Sequence, residues 1–235
     1  DLFFLGYIAA LMLLAFKRPF LFTLLYAYLD IIAPQRLSYF LLNSIPLSVM
    51  IFALAFLGFM VSDDKKDVRI APRIFLLLIL MLWCGYTTFE AEEPIAAQTK
   101  WSSVWKSLIF AAFLPLTLRT KLRIEALVLT MILCASALIV TGGVKTALGG
   151  GGYGVLKILV DNNSGLYEGS TISCIAIAII PMILWLSKHG TIFKPDWRVT
   201  AYALALIGAC LLIPVGTQAR TGVICIGVMG ILMLR

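Results

Sequence analysis

Arg220 interrupts an apolar stretch. It stands in LLIPVGTQARTGVICIGVMG, residues 211 to 230, flanked by Thr217, Gln218 and Thr221. A guanidinium at the centre of a bilayer costs about 2.5–3.5 kcal/mol even on lenient insertion scales. Two placements avoid that cost. An arginine at the edge of an apolar run can snorkel its head to water. Alternatively, it can meet an anion, because its planar fork binds phosphate oxygens two at a time.

A second polar concentration lies in GVKTALGGGGYGVLKILVDNNSGLYEGS, which reads as the longest loop, residues 143–170. Four consecutive glycines at 149–152 allow positive φ and close backbone approach. They are not a phosphate loop of the nucleotide-binding type, because no Gly-Lys-Ser/Thr follows. The stretch reads either as a flexible connector or as a functional surface. Its end carries Asp161, Asn162, Asn163, Tyr167 and Glu168 just before an apolar run. Polar groups there cap a helix or line a site at a membrane surface.

Other reactive side chains form no constellation. His189 is the only histidine and lies in a loop with Lys188 and Lys194, where it reads as solvated. No Ser/His/Asp set and no metal cluster can be assembled. Glu92 and Glu93 read as loop carboxylates. Cys84, Cys134, Cys174, Cys210 and Cys225 all lie in or beside apolar runs without ligand spacing, so they read as small core residues.

The elements that must position these groups are set by composition. The 235 residues are 61% hydrophobic and 13% charged, with a mean hydropathy of +1.00. Soluble domains are about 45–50% apolar and 25% charged. Apolar runs recur at 2–16, 19–34, 42–62, 74–89, 102–118, 124–142, 171–187, 199–216 and 222–235. They lack the period of two that barrel strands show, so the reading is all-α and polytopic. It has about eight complete spans and a truncated ninth. The run 19–34 is short and holds Asp30, and 35–47 reads as interfacial. The first run has no basic leader and no small-residue cleavage site, so no cleavable signal peptide is expected. The last run is short for a span, and a longer protein is expected to continue past Arg235.

Loop charge gives orientation. Lys65, Lys66, Arg69 and Arg73 share one loop; Arg119, Lys121 and Arg123 share another; Lys188, Lys194 and Arg198 share a third. These loops alternate with ones poor in Lys and Arg, which places the basic loops in the cytoplasm. The net charge of +7 is thereby an orientation signal, and no nucleic-acid partner is expected. The acidic EAEEPIAAQTK, the glycine-rich loop and TQARTG then face the other side. The N-terminus is also non-cytoplasmic if run 19–34 crosses, and this fails if that run is re-entrant. Arg220 therefore sits at a turn, outside the hydrocarbon.

Several stretches resemble a known family. DLFFLGYIAALMLLAFKRPFLFTLLYAYLDIIAPQRLSYF, FAAFLPLTLRTKLRIEALV, GGGGYG and DNNSGLYEG resemble the O-glycosylation ligases associated with the exosortase A system. PVGTQARTG with the apolar run after it looks like the start of the O-antigen ligase and polymerase domain. The resemblance implies a transmembrane region at 1–198 and the start of the ligase domain, truncated, at 199–235. It implies a GT-C-like enzyme of the bacterial inner membrane, working at the periplasmic face without metal or cofactor. Such enzymes pass a glycan from a polyprenyl-diphosphate carrier to an acceptor glycan or protein.

On that resemblance Arg220 holds the diphosphate. Asp161, Asn162, Asn163 and Gln218 are candidates for contacts to the glycan or its carrier. The family's catalytic base is a periplasmic histidine in a later loop. His189 does not match it, and no catalytic residue is assigned here. Loss of a diphosphate develops negative charge that guanidinium groups can stabilise. A polymerase uses the same donor, and a flippase of the same lipid-linked glycan shares the phosphate-binding arginine. A flippase should carry charges in several spans. The spans here are nearly free of them, with Asp30 and Lys106 the ambiguous cases.

Overall fold

The computed structural model describes residues 2–34, 47–61, 72–149, 166 and 168–233. These residues form helices and turns, with no strand among them. In chain order the helices are α1 (Leu2–Lys17), α2 (Phe20–Ile32), α3 (Leu47–Val61), α4 (Pro72–Phe89), α5 (Pro94–Thr117), α6 (Lys121–Gly149), α7 (Gly169–Ala178), α8 (Ile180–His189), α9 (Trp197–Thr217) and α10 (Arg220–Met233). Four segments are long and apolar enough to cross a membrane: Pro72–Phe89, Lys121–Gly149, Gly169–His189 and Trp197–Thr217. The remaining apolar helices of the described residues, α1, α2, α3 and α10, are shorter. Many large apolar side chains point outward, among them Leu13, Leu82, Tyr202 and Ile231. A helix that is apolar on every side suits hydrocarbon surroundings.

Two helices extend beyond their expected bounds. The acidic loop is confined to residues 90–93, because Pro94 opens α5 at its first turn. Proline is pre-set for that position and gives up an N–H that has no helical partner there. The glycine-rich loop starts later than 143, because α6 runs on to Gly149. Gly142 and Gly143 are buried in it. A Cβ on Gly143 would lie 3.1 Å from the Cβ of Ala209, so glycine is what lets α6 approach α9.

The segment Gly169–His189 is one rod with a defect. Pro181 has no N–H to give to the carbonyl four residues back, which separates α7 from α8 at Ile179. The ladder holds around it: Ile179 donates to Ile175 at 3.0 Å, and Ile183 donates to Ile179 at 2.9 Å.

The chain divides into two compact units. The first contains residues 2–26 and the described residues between 47 and 124. Its core is aromatic. Tyr26 stacks on Phe110 at 4.1 Å, and Phe113 meets Phe52 and Phe59 edge-on, each at 5.6 Å. At one end of this unit the α1–α2 turn seats Pro19 against Gly58 of α3. Arg119 lies over Phe59 and Arg123 over Phe20. The basic turn after α5 and the basic turn after α1 thus share one end.

The second unit contains α6 from Glu125 onward, α7 to α10, and residues 27–34. Its core repeats at helical spacing: Ile132, Ala135 and Ile139 on α6; Ile172, Ala176, Ile180 and Ile183 on α7 and α8; Ala203, Leu206, Cys210 and Ile213 on α9. Gly143 meets Ala209 and Thr146 meets Gly216, so α6 and α9 run in the same sense.

Candidate functional site

Arg220 is positioned by the end of α9. That helix stops because Gln218 takes a left-handed conformation, φ 52°, and its N–H turns back to the Val215 carbonyl at 3.4 Å. Only Gln218 and Ala219 separate the two helices, and Arg220 opens α10. The expected break at TQARTG is therefore a two-residue turn. Arg220 and Gln218 are both exposed at it. Among the described residues no side chain accepts a hydrogen bond from Arg220.

Three contacts hold this turn on its neighbours. Thr217 and Ser173 are buried, and their hydroxyls lie 2.6 Å apart. Thr217 Oγ1 also reaches the Ile213 carbonyl at 2.9 Å, and Ser173 Oγ reaches that of Gly169 at 2.7 Å. Each hydroxyl has one proton, so the two protons are shared among three contacts. Gly222, two residues past Arg220, fits where a Cβ would be 2.8 Å from Pro214 and 3.0 Å from Ser173. Gly216 abuts the side chain of Thr146 on α6. The Sγ atoms of Cys174 and Cys225 lie 3.6 Å apart in the α7–α10 contact, and both residues are free thiols.

The first turns of α7 and α10 therefore meet at one end of the unit, beside the ends of α6 and α9. Helix N-termini present unpaired N–H groups and positive dipole ends, which favour anions. Glu168 already stands at the start of α7. Its carboxylate accepts from Ser170 at 2.7 Å and from Thr171 at 3.1 Å. These hydroxyls, Ser170 first, hold the exposed Glu168 carboxyl below the usual carboxylate range. The start of α10 has no such acid, and its first side chain is the cation Arg220. An anion at this turn would meet the guanidinium and the first N–H groups of α10 together.

Asp161, Asn162 and Asn163 lie outside the described residues. Arg220 and Gln218 are brought together by their turn. Sequence reasoning missed Ser173 and singled out Thr217 only as a flank of Arg220, although a hydroxyl inside an apolar run is the available signal. It also missed Glu125, buried near the start of α6 at the other end of the unit. Glu125 accepts from the Thr191 N–H at 2.8 Å and from Thr191 Oγ1 at 2.6 Å. That bond ties the basic 188–198 loop to α6. Among the described residues no three His, Cys, Asp or Glu side chains are grouped to hold a metal.

Comparison with known families gives one match. The model of a family of unknown function, DUF5935, matches residues 1–191. The chain belongs to the DUF5935 family. Asp161, Asn162, Asn163, Glu168 and Ser173 fall inside the residues that match DUF5935; Thr217, Gln218 and Arg220 fall beyond them. No curated protein and no solved structure matches the chain.

Proposed function

We propose that this DUF5935 chain serves in a membrane glycosyltransferase of the O-antigen ligase type, taking a glycan from a polyprenyl-diphosphate carrier at the periplasmic face of the bacterial inner membrane. The observation that carries this reading is the placement of Arg220: exposed at the first turn of α10, at a helix end fixed by Ser173, Thr217 and Gly222. In that role Arg220 binds the diphosphate and stabilises the charge that develops as the glycan leaves. Asp161, Asn162, Asn163 and Gln218 contact the glycan or its carrier. The acceptor is a glycan or a protein.

The reading includes eight crossings before α10, with α1, α2 and α3 each counted as one. Helix ends support the sidedness. In the first unit the basic turns after α1 and α5 share an end. In the second, the basic 188–198 loop is bonded to the start of α6, and the Arg220 turn lies beside the end of α6. This is the arrangement that alternating basic and non-basic loops require. The apolar core of the second unit favours chemistry at its end over a polar path through it, as a flippase needs.

The test is glycan transfer by Arg220 variants in membranes. Arg220→Ala should lower transfer by about 100-fold or more, as loss of one charge-stabilising group does. Arg220→Lys should recover little, because a point charge lacks the fork. Membrane insertion should be unchanged. Full transfer by the alanine variant would sink the reading.

A further inference from the structure

The second unit has a cleft at the end opposite Arg220. It encloses about 410 Å³ between α6, α8 and the start of α9. That falls within the roughly 300–1,000 Å³ of small-molecule sites. Its walls are apolar, with Leu129, Leu133, Leu186, Ala203 and Leu206 among them, and Arg198 lines it as well. Water gains little from such walls, whereas a hydrocarbon chain matches them.

Two further observations bear on the occupant. Trp185, Trp197 and Tyr202 are exposed around this end, and such aromatic side chains gather at headgroup depth. Ser187 and Arg198 are polar members of the lining, and the rest of the cleft is mostly apolar. Arg198 is the cation that lines the cleft. Lys188, Lys194 and Arg198 lie on or beside the 188–198 loop; the acids at this end are Asp196 and the buried Glu125, which is bonded to Thr191. Asp196 is engaged as the cap of α9, accepting from the Trp197 N–H at 2.7 Å. Arg198 lies over the Trp197 ring at 5.7 Å, a contact that leaves its N–H edge available to an anion. Basic pockets between membrane helices bind anionic headgroups by this combination.

We propose that this cleft binds an anionic phospholipid of the surrounding bilayer, with one acyl chain between α6, α8 and α9 and its phosphate on Arg198. The site is separate from the donor site assigned to Arg220 and does not depend on it. Its occupant fills the cleft and holds the 188–198 loop at the membrane surface.

Native mass spectrometry of the full-length protein in detergent tests this, with dioleoyl phosphatidylglycerol and dioleoyl phosphatidylcholine as probes. The glycerol lipid should be retained about fivefold more than the choline lipid, the factor one cation contributes at an anionic surface. Arg198→Gln, at an exposed position, should lower that preference and leave the fold intact. Ala203→Phe should fill the cleft and reduce retention of both lipids. Equal retention of the two lipids by the unaltered protein would overturn the proposal. So would an undiminished preference in Arg198→Gln, or a stable dimer that Ala203→Phe dissociates.

Discussion

Ser173 and Thr217 hydrogen-bond at 2.6 Å across 44 positions of sequence and join the first half of α7 to the last turn of α9. Both are buried among apolar neighbours. A hydroxyl in such surroundings is stabilising only while its partner remains. The pair therefore makes the turn that presents Arg220 depend on a residue of a different span. Thr217→Val should destabilise the protein by about 1 kcal/mol, and Ser173→Ala by a similar amount. The double variant should cost less than the sum. Unfolding in detergent across this cycle measures the coupling, and strict additivity would show that the two hydroxyls act independently.

Gly222 and Gly230 lie on the same helix but in different surroundings. Gly222→Ala places a methyl against Pro214 and Ser173, whereas nothing lies within 4 Å of a Cβ on Gly230. Gly222→Ala should destabilise by about 1–3 kcal/mol. Gly230→Ala should be neutral or slightly stabilising through helix propensity. Thermal midpoints of the two variants in one detergent decide the matter, and equal midpoints would contradict the close contact.

Glu168 gives a pH dependence with a defined sign. Its folded carboxyl lies below the usual range because Ser170 and Thr171 donate to its ionised form. The stability it contributes is present above the unfolded value, about 4.3. It is lost as the pH falls through the folded value. Glu168→Gln should lose that contribution at neutral pH, flatten the acid part of the stability curve, and converge with the parent at low pH. A variant curve that follows the parent through the acid range would refute this.

Glu125 and Thr191 make a comparable test at the other end of the second unit. Glu125→Ala strands the Thr191 N–H and hydroxyl, and should cost about 1–3 kcal/mol. Thr191→Val removes only the hydroxyl partner and should cost less. Limited proteolysis of the 188–198 loop should speed up in the order parent, Thr191→Val, Glu125→Ala. Unchanged cleavage in all three would mean that the bond does not hold the loop.

Sidedness is open to cysteine labelling in a background without the native thiols. Gly150→Cys should react with an impermeant reagent from the periplasm, and Lys66→Cys only after the cytoplasmic side is opened. The reverse pattern would invert the topology.

The turn at Arg220 was legible in sequence because polar residues follow Gly216 in an otherwise apolar stretch, and the chain has few ways to accommodate that. The helical class was legible from run length and hydropathy. The end of α6 was not. Its glycines read as a loop, yet Gly143 is helical, and it is glycine because Ala209, 66 positions away, leaves no room for a Cβ. Pro94 reads as part of a loop, although its fixed φ suits the first turn of α5. The same limit hid Glu125, whose partner Thr191 is distant in sequence. Contacts of this kind have no local signature. Asp161, Asn162 and Asn163 lie outside the described residues, so their part of the site rests on sequence.

The contact of Gly216 with Thr146 sets a rule for how this chain can diverge. Any side chain at 216 would enter the volume held by Thr146. A relative that gains bulk at the first position must lose it at the second, or the two helices must separate. The two sites should therefore drift as a pair, with their combined volume held nearly constant, even though one belongs to the matched DUF5935 region and the other lies past its end.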